Sequence, residues 1–219
     1  MGAFSQYKNK FLEMLKGKWG KAIISSINAD ESSRGGEGVG VSGSINGHEY
    51  VDLGLSVRWA TCNIGANSPE DYGDYYAWGE TSTKSSYDED NYATFGKEIV
   101  DIGGTSRDVA RVKWGGSWRM PTWAECVELR DKCTWTWTTQ GGHNGYKVTG
   151  PNGKSIFLPA AGYCDGTSLD GVGYWGDYRS STPDEDDTSR SYNLNFNSGY
   201  RITGWNYRRD GITVRSVTE

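Results

Sequence analysis

Residues 134–158 read Thr-Trp-Thr-Trp-Thr-Thr-Gln-Gly-Gly-His-Asn-Gly-Tyr-Lys-Val-Thr-Gly-Pro-Asn-Gly-Lys-Ser-Ile-Phe-Leu. Thr134 to Thr138 alternates strictly, the period of a half-buried strand, and sets Trp135 and Trp137 on one face. Tyr146–Thr149 and Ser155–Leu158 then flank Gly150-Pro151-Asn152-Gly153. Asn-Gly between two strand-like runs is a strong hairpin signal, because both turn positions favour positive φ. The body is therefore expected to be built of short strands.

Other elements follow outward from this stretch. Upstream, Thr122 can cap a helix and Glu125, three residues on, completes a capping box. That helix is expected to run to about Lys132. Tyr50–Leu53 and Val57–Ala60 read as strands around a turn at Gly54. Residues 66–110 are rich in Asp, Ser, Thr and Tyr and are expected as long ordered loops. Downstream, Tyr192–Phe196 and Ile212–Val217 alternate as strands. Near the start, Phe4, Tyr7, Phe11, Leu15 and Trp19 recur at helical spacing, so residues 1–24 are expected to hold an amphipathic helix. Residues 25–47, with Ser32-Ser33-Arg34-Gly35-Gly36-Glu37-Gly38, read as a Gly/Ser-rich linker. The main domain is expected over 48–219.

Composition narrows the function classes. The chain has 31 Gly, 14 Tyr and 10 Trp but only 5 Phe and 3 Met. A core of Trp and Tyr needs hydrogen-bond partners for its polar tips, which suits strands and ordered loops. Net charge is −5, yet residues 1–24 carry five lysines against Glu13, which leaves about −9 for the remainder. An acidic body argues against nucleic-acid binding, which needs a basic face. The cysteines at 62, 126, 133 and 164 show no CxxC spacing, so free and mostly buried thiols are expected. No apolar stretch is long enough to span a membrane, membrane contact is not expected, and no secretory signal is read at the N-terminus.

The tail stands apart. Residues 174–219 hold six arginines and no lysine, interleaved with Tyr174, Trp175, Tyr178, Tyr192, Tyr200, Trp205 and Tyr207. Tyr, Trp and Arg anchor binding surfaces, because they supply large contact area and planar donor groups at low entropy cost. The expected contact residues are Trp175, Asp177, Arg179, Asp184, Asp186, Asp187, Ser189, Arg201, Thr203, Trp205, Tyr207, Arg209 and Asp210. They are placed in two loops at about 175–190 and 199–212. Val214 and Arg215 are assigned to structure, and Tyr192 and Tyr174 to the core. The run Asp184–Asp187 offers oxygens of the kind calcium takes, but a contiguous run lacks alternating ligand geometry. No metal site and no cofactor are expected, with calcium the one candidate ion. His48 and His143 have no identifiable catalytic partner in sequence, so no enzyme activity is expected.

Several strings together resemble a known family. These are Val51–Asn63 (VDLGLSVRWATCN), Tyr72-Gly73, Ala77-Trp78-Gly79-Glu80, Trp118–Thr122, Asn152–Gly162, Ser180–Pro183 and Gly211–Val217. In order and spacing they resemble a repeated domain of Bacteroidetes and Fibrobacter surface and phage proteins. The resemblance covers about residues 48–218. It implies an α+β C-type-lectin fold in the version shared with formylglycine-generating enzymes: two helices, short antiparallel strands and long ordered loops, preceded here by the N-terminal helix. Members include the variable proteins of diversity-generating retroelements, whose C-terminal codons are rewritten by adenine-directed mutagenesis so that the altered side chains line a ligand-binding face. The resemblance thus implies a variable region at about 174–212. It departs from the family at Arg179, commonly Trp, and at Ser216, commonly Pro. The cysteine pair of the formylglycine-generating enzymes is not carried over, since only Cys164 lies in the C-terminal part.

The expected function is a receptor- or adhesin-like protein binding an unidentified protein or glycan, such as one on a cell surface. The alternative is a non-diversified carbohydrate-binding or structural module of the same fold. Residues 4–24 offer a route to homo-oligomers. A phage virion, or a bacterial surface reached without a secretory signal, would suit either reading.

Overall fold

In the computed structural model, the 134–158 stretch folds as its pattern dictates. Strands β4 (Thr134–Gln140), β5 (His143–Thr149) and β6 (Ser155–Pro159) form an antiparallel meander. Trp135 and Trp137 both lay edge-on contacts against Tyr146 and Phe196, as one face of an alternating strand must. The structure describes residues 40–219 except 95, 98 and 99. The helix expected within 1–24 and most of the linker expected over 25–47 lie outside the described residues.

A second sheet is ordered β1-β2-β3-β12, from β1 (Gly43–Ile45), β2 (His48–Val51), β3 (Arg58–Asn63) and β12 (Arg215–Thr218). Strand β1 occupies residues expected as linker. The reason is Asn46-Gly47, whose φ values of 51° and 83° close a tight hairpin between β1 and β2. This β1-β2-β3-β12 sheet therefore joins the beginning of the described chain to its end.

Helix α1 (Val109–Trp114) was not foreseen; it starts where residues 66–110 were expected to be loop. Asp108 caps it through Ala110 N and Arg111 N, and its other oxygen accepts from Gly104 N and Met120 N. Helix α2 (Trp123–Lys132) has both arms of the capping box: Thr122 Oγ1 accepts from Glu125 N, and Glu125 Oε2 accepts from Thr122 N at 2.8 Å. Arg119 clamps that carboxylate from outside at 2.6 Å.

Beyond β6 come the small hairpin β7 (Tyr163–Asp165) and β8 (Ser168–Asp170), then β9 (Gly176–Pro183), β10 (Arg190–Asn197) and β11 (Tyr200–Tyr207) in a sheet ordered β11-β10-β9. Here the structure corrects the reading most sharply. The loops expected at 175–190 and 199–212 contain two eight-residue strands. Among the described residues, strand content is 42% against 9% helix, in four small antiparallel sheets with two short helices. The α+β C-type-lectin architecture expected from the resemblance is therefore not the fold of this chain. The cause is visible in β9 and β11, which alternate with polar residues on both sides and so carry no simple apolar stripe.

Trp59, Trp78 and Trp118 are fully buried with Tyr76, Phe157 and Phe196. Trp78 Nε1 donates to Ser180 O and Trp118 Nε1 to Ile45 O, whereas the buried Trp59 Nε1 has no partner among the described residues. Residues 66–108 wrap the far end of the third sheet: Tyr76 bridges Ile212, and Trp78 N donates to Arg208 O. The four cysteines are free; Cys126 and Cys133 are buried, Cys62 and Cys164 half-buried.

Candidate ligand-binding face

The site is built on the β9–β10–β11 sheet. Strands β10 and β11 pair in unbroken register from Arg190↔Tyr207 to Asn197↔Tyr200. Opposed residues of an antiparallel pair share a face. Arg201, Thr203, Trp205 and Tyr207 therefore lie with Phe196, Leu194, Tyr192 and Arg190. Helix α2 covers the middle of this face, where Leu194 and Phe196 are buried.

What α2 leaves open is a continuous aromatic and arginine strip. Trp123, at the start of α2, stacks on Tyr192 with ring centroids 4.9 Å apart. Tyr192 stands directly opposite Trp205. The Arg190 guanidinium lies 3.6 Å from the Trp205 ring centroid, and Trp205 meets Tyr207 edge-on at 6.0 Å. Arg209 covers the Tyr207 ring at 4.6 Å and pairs with Glu89. At the other end Arg130 of α2 donates to Thr203 Oγ1 at 2.7 Å. Trp205 and Tyr207 remain 47% and 38% exposed, so the strip faces solvent. Arginine over an aromatic ring is held by the ring quadrupole, which keeps each guanidinium in place while its edge stays free to donate.

The opposite face is polar and is closed over β9, while Ile202 of β11 stays exposed on it. Asp177 Oδ1 accepts from Asn193 and Asn195 at 2.8 and 2.7 Å. Arg179 donates to Ser191 Oγ and to the carbonyls of Tyr207 and Asp210. It thus brackets the turn that follows β11. Burial pushes both the Asp177 and Asp210 carboxyls up to about 6, against the attraction of Arg179, and pushes the Arg179 guanidinium down to about 10.

This divides the expected contact residues. Arg201, Thr203, Trp205, Tyr207 and Arg209 belong to the open strip. Asp177, Arg179, Asp184 and Asp210 are buried and stand away from the open strip, Asp177 and Arg179 bonding to the sheet from its other face. Asp184 and Asp187 spend oxygens on the β9–β10 connection, accepting from Asp186 N and from Ser189 N and Oγ. Asp187 also pairs with Arg190 at 3.1 Å. Asp186 and Ser189 stand on that connection, Asp186 exposed and Ser189 half-buried. Trp175 lies apart from the strip, its ring over Gly171, where an added Cβ would come within 2.3 Å of it. Tyr174, expected inside, is 76% exposed. Arg190, Tyr192, Trp123 and Arg130 were missed as site residues: the β10–β11 register, invisible without β11, brings in the first two, and the packing of α2 on the sheet brings in Trp123 and Arg130.

Val214 and Arg215 are buried as expected, and Arg215 donates to Asn63 Oδ1 and to the Ala60 and Thr61 carbonyls. Among the described residues no helix is long and apolar enough to cross a membrane. Comparison with protein-family models, with curated proteins and with solved structures finds no match to this chain.

Proposed function

We propose that this chain is a ligand-binding protein whose recognition surface is the open strip of the β9–β11 sheet, and that a retroelement diversifies the codons at about 174–212 so that the surface meets varied partners. The observation that carries this reading is the stacked series Trp123–Tyr192 and Arg190–Trp205–Tyr207–Arg209, exposed on one face. The polar network of Arg179 and Asp177 holds the same strands from behind. Anchors of this kind concentrate binding energy when they sit on a rigid frame.

Diversification is tested by sequencing the locus in related strains. Substitutions should cluster at the codons for 174–212, beside a near-copy of that region and a reverse transcriptase. Substitutions spread evenly over 48–219 would sink it. Binding is tested separately: a ligand captured from a cell-surface protein or glycan panel should lose about 2 kcal/mol of affinity on Trp205→Ala, the scale of an interface anchor.

The exposed Trp205 and Tyr207 rings also suit stacking against sugar rings, which favours a fixed carbohydrate-binding module as the second reading. Glycan-array signal that is lost with Trp205→Ala, in a locus with no variation at 174–212, would select it.

A further inference from the structure

We infer that β11 pairs with the β11 of a second copy of this chain, antiparallel about a two-fold axis at Thr203, to make one continuous six-stranded sheet. This goes beyond the ligand-binding reading, which stands or falls on its own tests.

The two edges of the β11-β10-β9 sheet differ. The β9 edge is covered: Tyr178 bridges Thr213 and Gly176 bridges Gly162. Among the described residues no strand pairs with the outer edge of β11. Its register against β10 has no bulge, and the strand carries neither Lys nor Pro. Those are the devices that normally keep an edge from pairing. Ile202 and Tyr200 on one face and Trp205 on the other are 42–49% exposed.

Hydrogen-bond parity says which groups are free. Arg208 N donates to Ser189 O, so even-numbered residues of β11 turn towards β10 and odd-numbered residues turn outward. At the last odd position, Tyr207 N donates to Asn206 Oδ1 and Tyr207 O accepts from Arg179. That leaves Arg201, Thr203 and Trp205 to present backbone N–H and C=O to a new strand.

Three such residues centred on Thr203 fit one antiparallel register with themselves. Thr203 opposes Thr203 of the second copy, and Arg201 opposes its Trp205. The side chains agree. Arg190 and Arg209 each stack on an aromatic ring of β11, whereas Arg201, among the described residues, makes no hydrogen bond and no ring contact. Across the two-fold it gains Trp205, the same pairing the chain makes internally. On the reverse face Ile202 comes opposite Gly204, whose missing side chain leaves room; the nearest atom to a Cβ placed there is 3.8 Å away. Thr–Thr pairs across strands are favourable cross-strand neighbours. A closed two-fold also uses both edges at once and leaves none to propagate.

The test is amide hydrogen exchange on the full-length protein across a concentration series, read beside sedimentation. Protection at Arg201, Thr203 and Trp205 should rise with concentration, in step with a dimer. Thr203→Pro, which removes the central donor of an edge strand, should weaken the dimer by about tenfold or more. Arg201→Glu alters only a side chain and should weaken it in the same direction, so the inference does not rest on the proline variant folding. Amides that exchange at open-edge rates at every concentration would overturn it, even if the protein associates elsewhere. So would oligomers that both variants leave unchanged. Protection that appears only on adding another protein assigns the edge to a foreign strand and also overturns self-pairing.

Discussion

Arg179 and Asp177 are each within 2% of complete burial, yet both are charged residues. Their sequence neighbours made them look like contact residues, because arginine and aspartate beside aromatic groups are the composition of a binding surface. Burial reverses the meaning of the same residues. A buried guanidinium is tolerated when most of its donors are met: the two terminal nitrogens of Arg179 meet Ser191 Oγ and two carbonyls, while its Nε is buried with no partner among the described residues. Asp177 has a measurable consequence. Its folded pKa is about 6 against an ordinary 3.8, so the folded state holds a proton that the unfolded chain has already released. Between those values folding takes up protons, and stability must fall as pH rises from about 4 to about 6. The shift corresponds to roughly 3 kcal/mol. Asp210 is raised in the same direction and adds to the slope. Asp177→Asn keeps an oxygen for Asn193 and Asn195 but cannot ionise. Urea midpoints taken from pH 4 to 7 should fall steadily in the wild type and by about half as much in the variant. Equal slopes would mean that Asp177 ionises in the fold without cost.

At the level of elements, what was legible and what was not divides along one line. Helix α2 and strands β4 to β6 announce themselves, because a capping box, an Asn-Gly turn and strict Trp/Thr alternation are local and self-sufficient. Strands β9 and β11 do not. Their alternation is between two kinds of polar or aromatic residue, and one buried face is filled by Asp177 and Arg179 instead of aliphatic side chains. Helix α1 is short and depends on Asp108, whose four backbone partners lie as far away as Met120. The open strip was half legible: Trp205, Tyr207, Arg201 and Arg209 stood out by type, while Arg190 and Tyr192 join only through register. The neighbouring register of β9 against β10 depends on close contact at the start of β9. A Cβ on Gly176 would fall 2.1 Å from the Phe196 ring, which is itself packed by Tyr146, Tyr178 and both Trp135 and Trp137. Gly176→Ala should therefore cost about 1–3 kcal/mol through overpacking. It should also weaken any ligand bound on β11, since Phe196 opposes Arg201. Denaturant unfolding paired with a binding titration checks both.

For the described residues as a whole, β12 and the residues just before it join the sheets to one another. Strand β12 pairs with β3, Val217 bridges Arg119, and the residues just before it reach three further places. Ile212 bridges Tyr76, Thr213 bridges Tyr178 at the covered edge of β9, and Val214 O accepts from Ile64 N. One run of seven or so residues thus fastens the β1-β2-β3-β12 sheet to the ligand-binding sheet. Arg215 is the centre of this seam, fully buried, with Asn63 Oδ1 at 2.7 Å and the Thr61 carbonyl at 2.7 Å. Local sequence reading sees Ile212–Val217 as a strand but has no way to see that its partners lie some 150 residues earlier. Pairings at such separation are formed late and together, because loop closure must be met before any of them is rewarded. Removing residues 215–219 strips the donor from Asn63 and two carbonyls and opens the β3 edge, so the truncated chain should lose cooperative unfolding and its near-ultraviolet aromatic signal. Removing Glu219 alone is the control. Its side chain is 81% exposed and lies 3.8 Å from Arg119, so its loss should shift stability by no more than about 0.5 kcal/mol. A truncation at 214 that still melts cooperatively would show that the two sheets hold without their shared last strand.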